Sequence, residues 1–591
     1  MQKKWNNADL QTKYNDKFIY FVQLWGELLD ARTIDIYQHN ILNVFLALKE
    51  LLVVTNNTLN GIYTSTYNFD DCKNETKELL LSDEIIAAIN PHLYNCLKNK
   101  LCGKLDSKES KIALIAQLKS SIRYLESTYI EKLFSELEQE LLNCNYEKIN
   151  KYTKALVSQC IDIGWSPKGL LESLRFLNGP SENINGLWQD FKSKLTNTSN
   201  IHHHIYIELI IKTTSPDKKQ AVIRELNSMG IETLNKNQIL DKYPTEDIVS
   251  LLKSESTYIF IDTCCPDIYS AAQKALQQIS NKIYLLSFYG YVNFWDIANS
   301  NIFAMNPLTK YKRTFLAESL FKPYEYVDVT NRVLESTKEI FSSESTSVAE
   351  KLLGTFAYTN ISKASMFQEA RFMNMWVALE SLVRTGLYKD IISNVKAVIP
   401  SACVKRYLFS IIRNFIEDCE RCEIDLSFSN GKSVPTESKH EAVQEILFIL
   451  KDDTLFTELK NKTEVNKLLT YRCTEIREVV IDYGKLKQKL INHHKMVSWN
   501  LQRLYRTRNG IAHAAKQENI PTTQIKHLFS YLTTAILEVV AIWKKDNHKT
   551  IDEIYCKIIN DYDAVIGLLS GTRTNTTIND TLLKDGFIDL L

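Results

Sequence analysis

Apolar residues recur at helical spacing along most of this chain, and that single regularity limits its architecture more than any other feature. Ile41-Leu42, Val44-Phe45, Leu48 and Leu51-Leu52 keep the period of an α-helix, as do Ile112, Leu114-Ile115, Leu118, Ile122 and Leu125. The pattern returns at Met366, Ala370, Met373, Trp376-Val377, Leu379 and Leu382-Val383, and again from Ile525 through Leu528-Phe529, Leu532, Ile536 and Val539-Val540 to Trp543. Only 17 glycines and 11 prolines punctuate 591 residues, which favours long helices with few tight turns. A chain of this length exceeds one core, so several domains are expected.

One region breaks the helical period. Ile205–Ile211 alternates as a β-strand, and a helix over Asp217–Met229 closes on Gly230. A short strand at Ile231–Leu234, a strong one at Tyr258–Asp262, a helix from Pro266 and a final strand at Lys282–Tyr289 complete the order β-α-β-β-α-β, that of a ferredoxin-like unit. The expected organisation is therefore mainly α and multidomain. A helical N-terminal domain covers 1–200, a ferredoxin-like α+β domain 201–300 and a connector 301–345. A C-terminal all-α bundle with a tail then occupies 346–591. Ser166 and Pro167 mark a capped helix start within the first of these.

Charge and cysteine usage exclude several function classes. A formal net charge of +1 provides no global field for nucleic acid, so any such contact must be local. Twelve cysteines scattered through a large chain without zinc-finger spacing point to reduced thiols. The opening MQKKWNNADL lacks the apolar run of a signal peptide, and no eighteen consecutive residues are apolar, so a cytoplasmic protein without a membrane span is expected. His202-His203-His204 sit on an extended segment and alternate sides, which disfavours a shared metal, and neither metal nor cofactor is expected.

One basic window stands out. From Tyr483 to Gln517 there is no Asp or Glu, where the chain's 70 acids would place about four, while Lys485, Lys487, Lys489, Lys495, Arg503, Arg506, Arg508 and Lys516 all fall within it. Such a stretch reads as a local anion site. Inside it, Arg508 is a permanent cation suited to phosphate oxygens, and His513 can exchange a proton near neutral pH. Asn509, four residues before His513, shares its helical face and could orient the imidazole or bind phosphate. Arg503, Tyr505 and Arg506 are candidates for RNA contact. Upstream, Glu380 lies on an apolar helix face, where a carboxylate requires a cation or donor, so it is expected to meet Arg506 or Arg508 and orient the site.

Two phrases carry a family resemblance: Phe372-Met373-Asn374-Met375-Trp376-Val377-Ala378-Leu379-Glu380-Ser381-Leu382 and Tyr505-Arg506-Thr507-Arg508-Asn509-Gly510-Ile511-Ala512-His513. With a closing amphipathic helix behind the second, roughly 345–545 resembles the HEPN superfamily, and within it the Apea-like HEPN proteins of bacteria. The resemblance implies an all-α domain acting as a metal-independent RNA endonuclease in antiphage defence or a toxin–antitoxin system. It further implies a homodimer whose two motifs face each other, and a phage-derived or other trigger. Where the nucleotidyltransferase-controlled toxins of the superfamily carry a tyrosine two residues after the motif histidine, this chain has Ala515, which argues against silencing at that position. Two alternatives stay open, a non-catalytic HEPN-type interaction protein and a ligand sensor.

Overall fold

The computed structural model describes residues 15–33, 36, 42–63, 67–143, 145–177, 184–197, 201–210, 216–243, 247–288, 299–321, 331–342, 346–365, 367–514, 520–545 and 550–570. It is mainly helical, with one five-stranded antiparallel sheet. The principal N-terminal helices are α1 (Asp16–Leu29), α2 (Val44–Leu59), α3 (Tyr67–Ser82), α4 (Tyr146–Asp162), α5 (Pro167–Ser173) and α6 (Ile184–Thr196). Ser166 caps α5 by accepting from the Gly169 amide, and Pro167 occupies its first turn, as the sequence predicts.

The α+β segment follows as β1 (His202–Glu208), α7 (Pro216–Ser228), β2 (Glu232–Asn235), β3 (Thr257–Cys264), α8 (Ile268–Phe288), β4 (Asn301–Met305) and β5 (Lys312–Leu316). The strands lie in the order β2-β3-β1-β4-β5. One expectation fails here: Lys282–Tyr289 is not a strand. Through Phe288 it continues α8, and Leu286 joins Ala272, Ala275 and Ile279 in packing on the sheet. The run is apolar but poor in β-branched residues, and period alone does not separate a buried strand from the last turns of a buried helix. The sheet instead takes its last two strands from residues expected to form the connector, with β4 pairing β1 and β5 pairing β4.

The three histidines of β1 separate as alternation requires. His203 is buried and hydrogen-bonds the Cys265 carbonyl, His202 pairs with Asp262, and His204 packs on Tyr243 and Phe260.

The helices of the C-terminal part that bear on the site are α9 (Thr346–Ala364), α10 (Gln368–Val383), α11 (Ile391–Arg421), α12 (Lys467–Ile481), α13 (Tyr483–Ala514), α14 (Thr522–Lys545) and α15 (Ile551–Leu568). Helices α11 and α13 each run from one core into another. The first half of α11, with Ile392, Val395 and Ile399, packs with Trp376, Leu501, Leu528 and Leu532. Its second half, with Ile412, Phe415 and Cys419, packs instead with Trp25, Leu48 and Leu156 of the N-terminal helices. Helix α13 behaves likewise: Leu486 and Leu490 belong to the latter core, Val497, Leu501 and Leu504 to the former. The largest core thus joins helices from both sides of the sheet segment. Helix α14 is long and apolar enough to cross a membrane, but most of that apolar window is buried inside the protein.

A carboxylate ties the sheet segment to the N-terminal helices. Asp267 accepts from the Ser166 amide at 2.7 Å and hydroxyl at 2.8 Å, and from the Tyr269 and Ser270 amides at 2.8 and 2.9 Å. One buried acid therefore satisfies amides at the starts of both α5 and α8.

Candidate active site

The motif segment lies at the C-terminal end of α13. Buried Leu486, Leu490, Val497, Leu501 and Leu504 recur at spacings of three, four and seven, so one stripe anchors the helix. Gly510 does not interrupt it, since the helix runs through Ala514.

Arg508 projects toward α10. Its Nε lies 3.7 Å from Oε1 of Glu380, and its Nη1 donates to the Asn509 amide oxygen at 3.2 Å. The Glu380 oxygen also accepts from the indole N–H of the fully buried Trp376 at 2.5 Å. Four residues on one helix turn separate Trp376 from Glu380, which places them on one face. The arginine side chain is 24% exposed, so it is held from behind yet reachable. Its Nε is buried against Glu380 without a hydrogen-bond partner among the described residues, so the exposed part of the guanidinium is what an anion can reach. Tyr505 sits with its ring 5.8 Å from that of Trp376, packed against the helical core. Thr507 donates to the side chain of Gln524 on α14 at 3.2 Å, bracing the segment from the other side.

Arg503 and Arg506 do something different from what the sequence suggests. Both are buried, with side-chain exposures of 7% and 6%. Arg503 donates to Glu50 at 3.0 Å and to Glu75 at 2.6 Å, and Arg506 donates to the same Glu50. Burial would raise the Glu50 carboxyl, but the two guanidiniums outweigh it and hold it down at about 2. An arginine locked between buried carboxylates offers nothing to RNA, and the expected RNA contacts of these two residues are withdrawn. The same correction extends along the helix. Lys485 pairs with Glu478, Lys489 with Glu475 and Lys495 with Glu78. The window is acid-free in sequence, yet other helices deliver the acids. Glu50 and Glu75 escape sequence reading because nothing local distinguishes them from other glutamates on amphipathic helices.

His513 belongs to α13, one turn beyond Asn509, but its side chain lies outside the described residues, as do Ala515 and Lys516. Arg508 and His513 are five positions apart, which on a regular helix separates them by roughly 140°.

No protein-family model matches this chain, and no curated protein or solved structure matches it either.

Proposed function

We propose that this chain is a metal-independent RNA endonuclease of HEPN type acting as a homodimer through 346–591, in antiphage defence within the cytoplasm. The observation that supports it best is the Arg508 guanidinium, held by Glu380 and Asn509 yet partly exposed, on the helix that carries His513. Such a cation is suited to the charge that gathers on phosphoryl oxygens in the transition state.

His513 takes the proton of the ribose 2′-hydroxyl. The 2′-oxygen then bonds to the adjacent phosphorus, the bond from phosphorus to the 5′-oxygen breaks, and the leaving oxygen takes a proton. The products are a 2′,3′-cyclic phosphate and a 5′-hydroxyl. Because positions 508 and 513 diverge around one helix, the arginine of one protomer serves the histidine of its partner. The sheet segment, read as a ferredoxin-like domain, binds ligand or spaces the helical parts.

The test is incubation of the purified chain with RNA, DNA and 2′-deoxy-substituted RNA in excess EDTA, followed by mapping of the ends. RNA alone should be cut, leaving cyclic phosphate. Cleavage abolished by EDTA and restored by magnesium, or 5′-phosphate ends, would overturn the chemistry. A second reading, a non-catalytic interaction module, draws support from the internal use of Arg503 and Arg506. It wins if Arg508→Ala and His513→Ala leave activity intact while dimerisation fails.

A further inference from the structure

Most cations of the motif helix are neutralised from within, so RNA requires another source of positive charge. The junction between the N-terminal helices and the sheet supplies one. Arg175, just after α5, is exposed, and its guanidinium carbon lies 4.7 Å from the centroid of the Tyr311 ring and 5.4 Å from that of Phe176. Lys194 of α6 reaches over the same Phe176 ring at 5.9 Å. Arg313 of β5 lies 5.4 Å from the Tyr311 centroid. One carboxylate serves this group: Glu172 accepts from Arg313 at 3.0 Å and from the Tyr311 hydroxyl at 2.8 Å, and Tyr269 donates to it as well. Arg175 and Lys194 have no ion-pair or hydrogen-bond partner among the described residues.

The chemistry of that arrangement is specific. An aromatic face holds a cation in place without consuming its N–H donors, whereas a carboxylate would occupy them. Arg175 is therefore fixed in position but keeps the planar donor fork that fits a phosphate. Lys194 is pushed down by burial and then by the charge of Arg175, a neighbouring cation.

A third cation stands at the same cluster. Lys168 of α5 lies 5.9 Å from the centroid of Tyr269, whose hydroxyl joins the Glu172 cluster. Lys168 forms no ion pair among the described residues.

We infer that Arg175 and Lys194, with Lys168 beside them, form a phosphate-binding track for the backbone of single-stranded RNA. The inference rests on the ribonuclease reading for its choice of polyanion, and the test separates the two. The full chain carrying His513→Ala, which should bind without cutting, is titrated with a fluorescent single-stranded RNA oligonucleotide at several salt concentrations. Each phosphate contact on a single strand contributes about 0.7 to the slope of log affinity against log salt. Replacing both Arg175 and Lys194 by Gln should lower that slope by about 1.4 and weaken binding roughly tenfold. Lys338→Gln with Lys485→Gln, which removes the same charge from exposed ion pairs elsewhere, should leave the slope unchanged. Arg175→Gln alone, on an exposed side chain, gives half the slope change should the double variant fail to fold. An unchanged slope and affinity, or a parent chain that binds no RNA, overturns the track. If the unmutated chain cuts RNA while affinity ignores Arg175 and Lys194, the ribonuclease reading stands without the track. If RNA binds along these residues but is never cut, the track stands and the ribonuclease reading falls.

Discussion

Glu380 Oε1 receives the Trp376 indole N–H and lies 3.7 Å from Arg508 Nε, so a fully buried ring aims the carboxylate that aims the arginine. Glu380→Gln keeps the shape and removes the charge. RNA cleavage in single-turnover assays should fall about tenfold, and Arg508→Ala should lower it by roughly a hundredfold or more. Combined, the two changes should cost little more than Arg508→Ala alone, because both act through one guanidinium. Full additivity would show that Glu380 does not work through Arg508.

Glu50 binds two buried arginines, and its loss strands both. Glu50→Ala should destabilise the protein by about 3–5 kcal/mol in denaturant titration, the usual penalty for breaking a buried pair. Arg508→Ala, at a partly open pair, should cost less than about 1 kcal/mol. An Arg506→Ala protein with an unaltered unfolding midpoint and lost RNA affinity would return that arginine to the role the sequence suggests.

Acid should weaken the fold below neutrality through two histidines. Burial pushes His203 and His494 down to about 4, against 6.5 in the unfolded chain. Because their folded values are depressed, their stabilising contribution is complete above 6.5 and is lost as pH falls toward 4. The loss reaches about 1.4 kcal/mol per pH unit for each. Asp83 opposes them: burial raises it to about 6, so the folded state takes up its proton first and gains stability as pH falls from 6 toward 3.8. Thermal midpoints should therefore fall between pH 6.5 and 4. The fall should be steeper in Asp83→Asn and shallower in His203→Gln, and a profile indifferent to both variants would refute this assignment.

Gly169 leaves room for the acid that joins α5 to α8. A β-carbon there would overlap the Asp267 carboxyl itself. Gly169→Ala should cost roughly 1–3 kcal/mol by overpacking, although alanine ordinarily stabilises a helix interior. Asp267→Asn in the same background should recover little, since the amide is no smaller. A Gly169→Ala protein with a raised unfolding midpoint would show that the junction yields freely.

Local chemistry was legible in the chain. Helical period marked the faces that are buried, Ser166-Pro167 and Gly230 marked a start and a stop, and β-branched alternation marked β1 and β3. The position of Glu380 on an apolar face required a cation, and Arg508 is there. These signals survive because capping, alternation and desolvation act within a few residues. The strand expected at Lys282–Tyr289 failed for the complementary reason: an apolar run is compatible with either period, and only packing on the sheet decides.

By itself, then, the sequence determined which residues seek burial, where helices begin and end, and that an arginine, an amide and a histidine share one helix. Only the tertiary structure decided which charges remain available. Arg503, Arg506 and Arg508 look alike in the chain, yet two are closed off by Glu50 and Glu75, more than four hundred residues away, while the third stays partly open. Coulombic pairing depends on distance in space, and a pattern read along the chain holds no record of which helix will bring a carboxylate within reach.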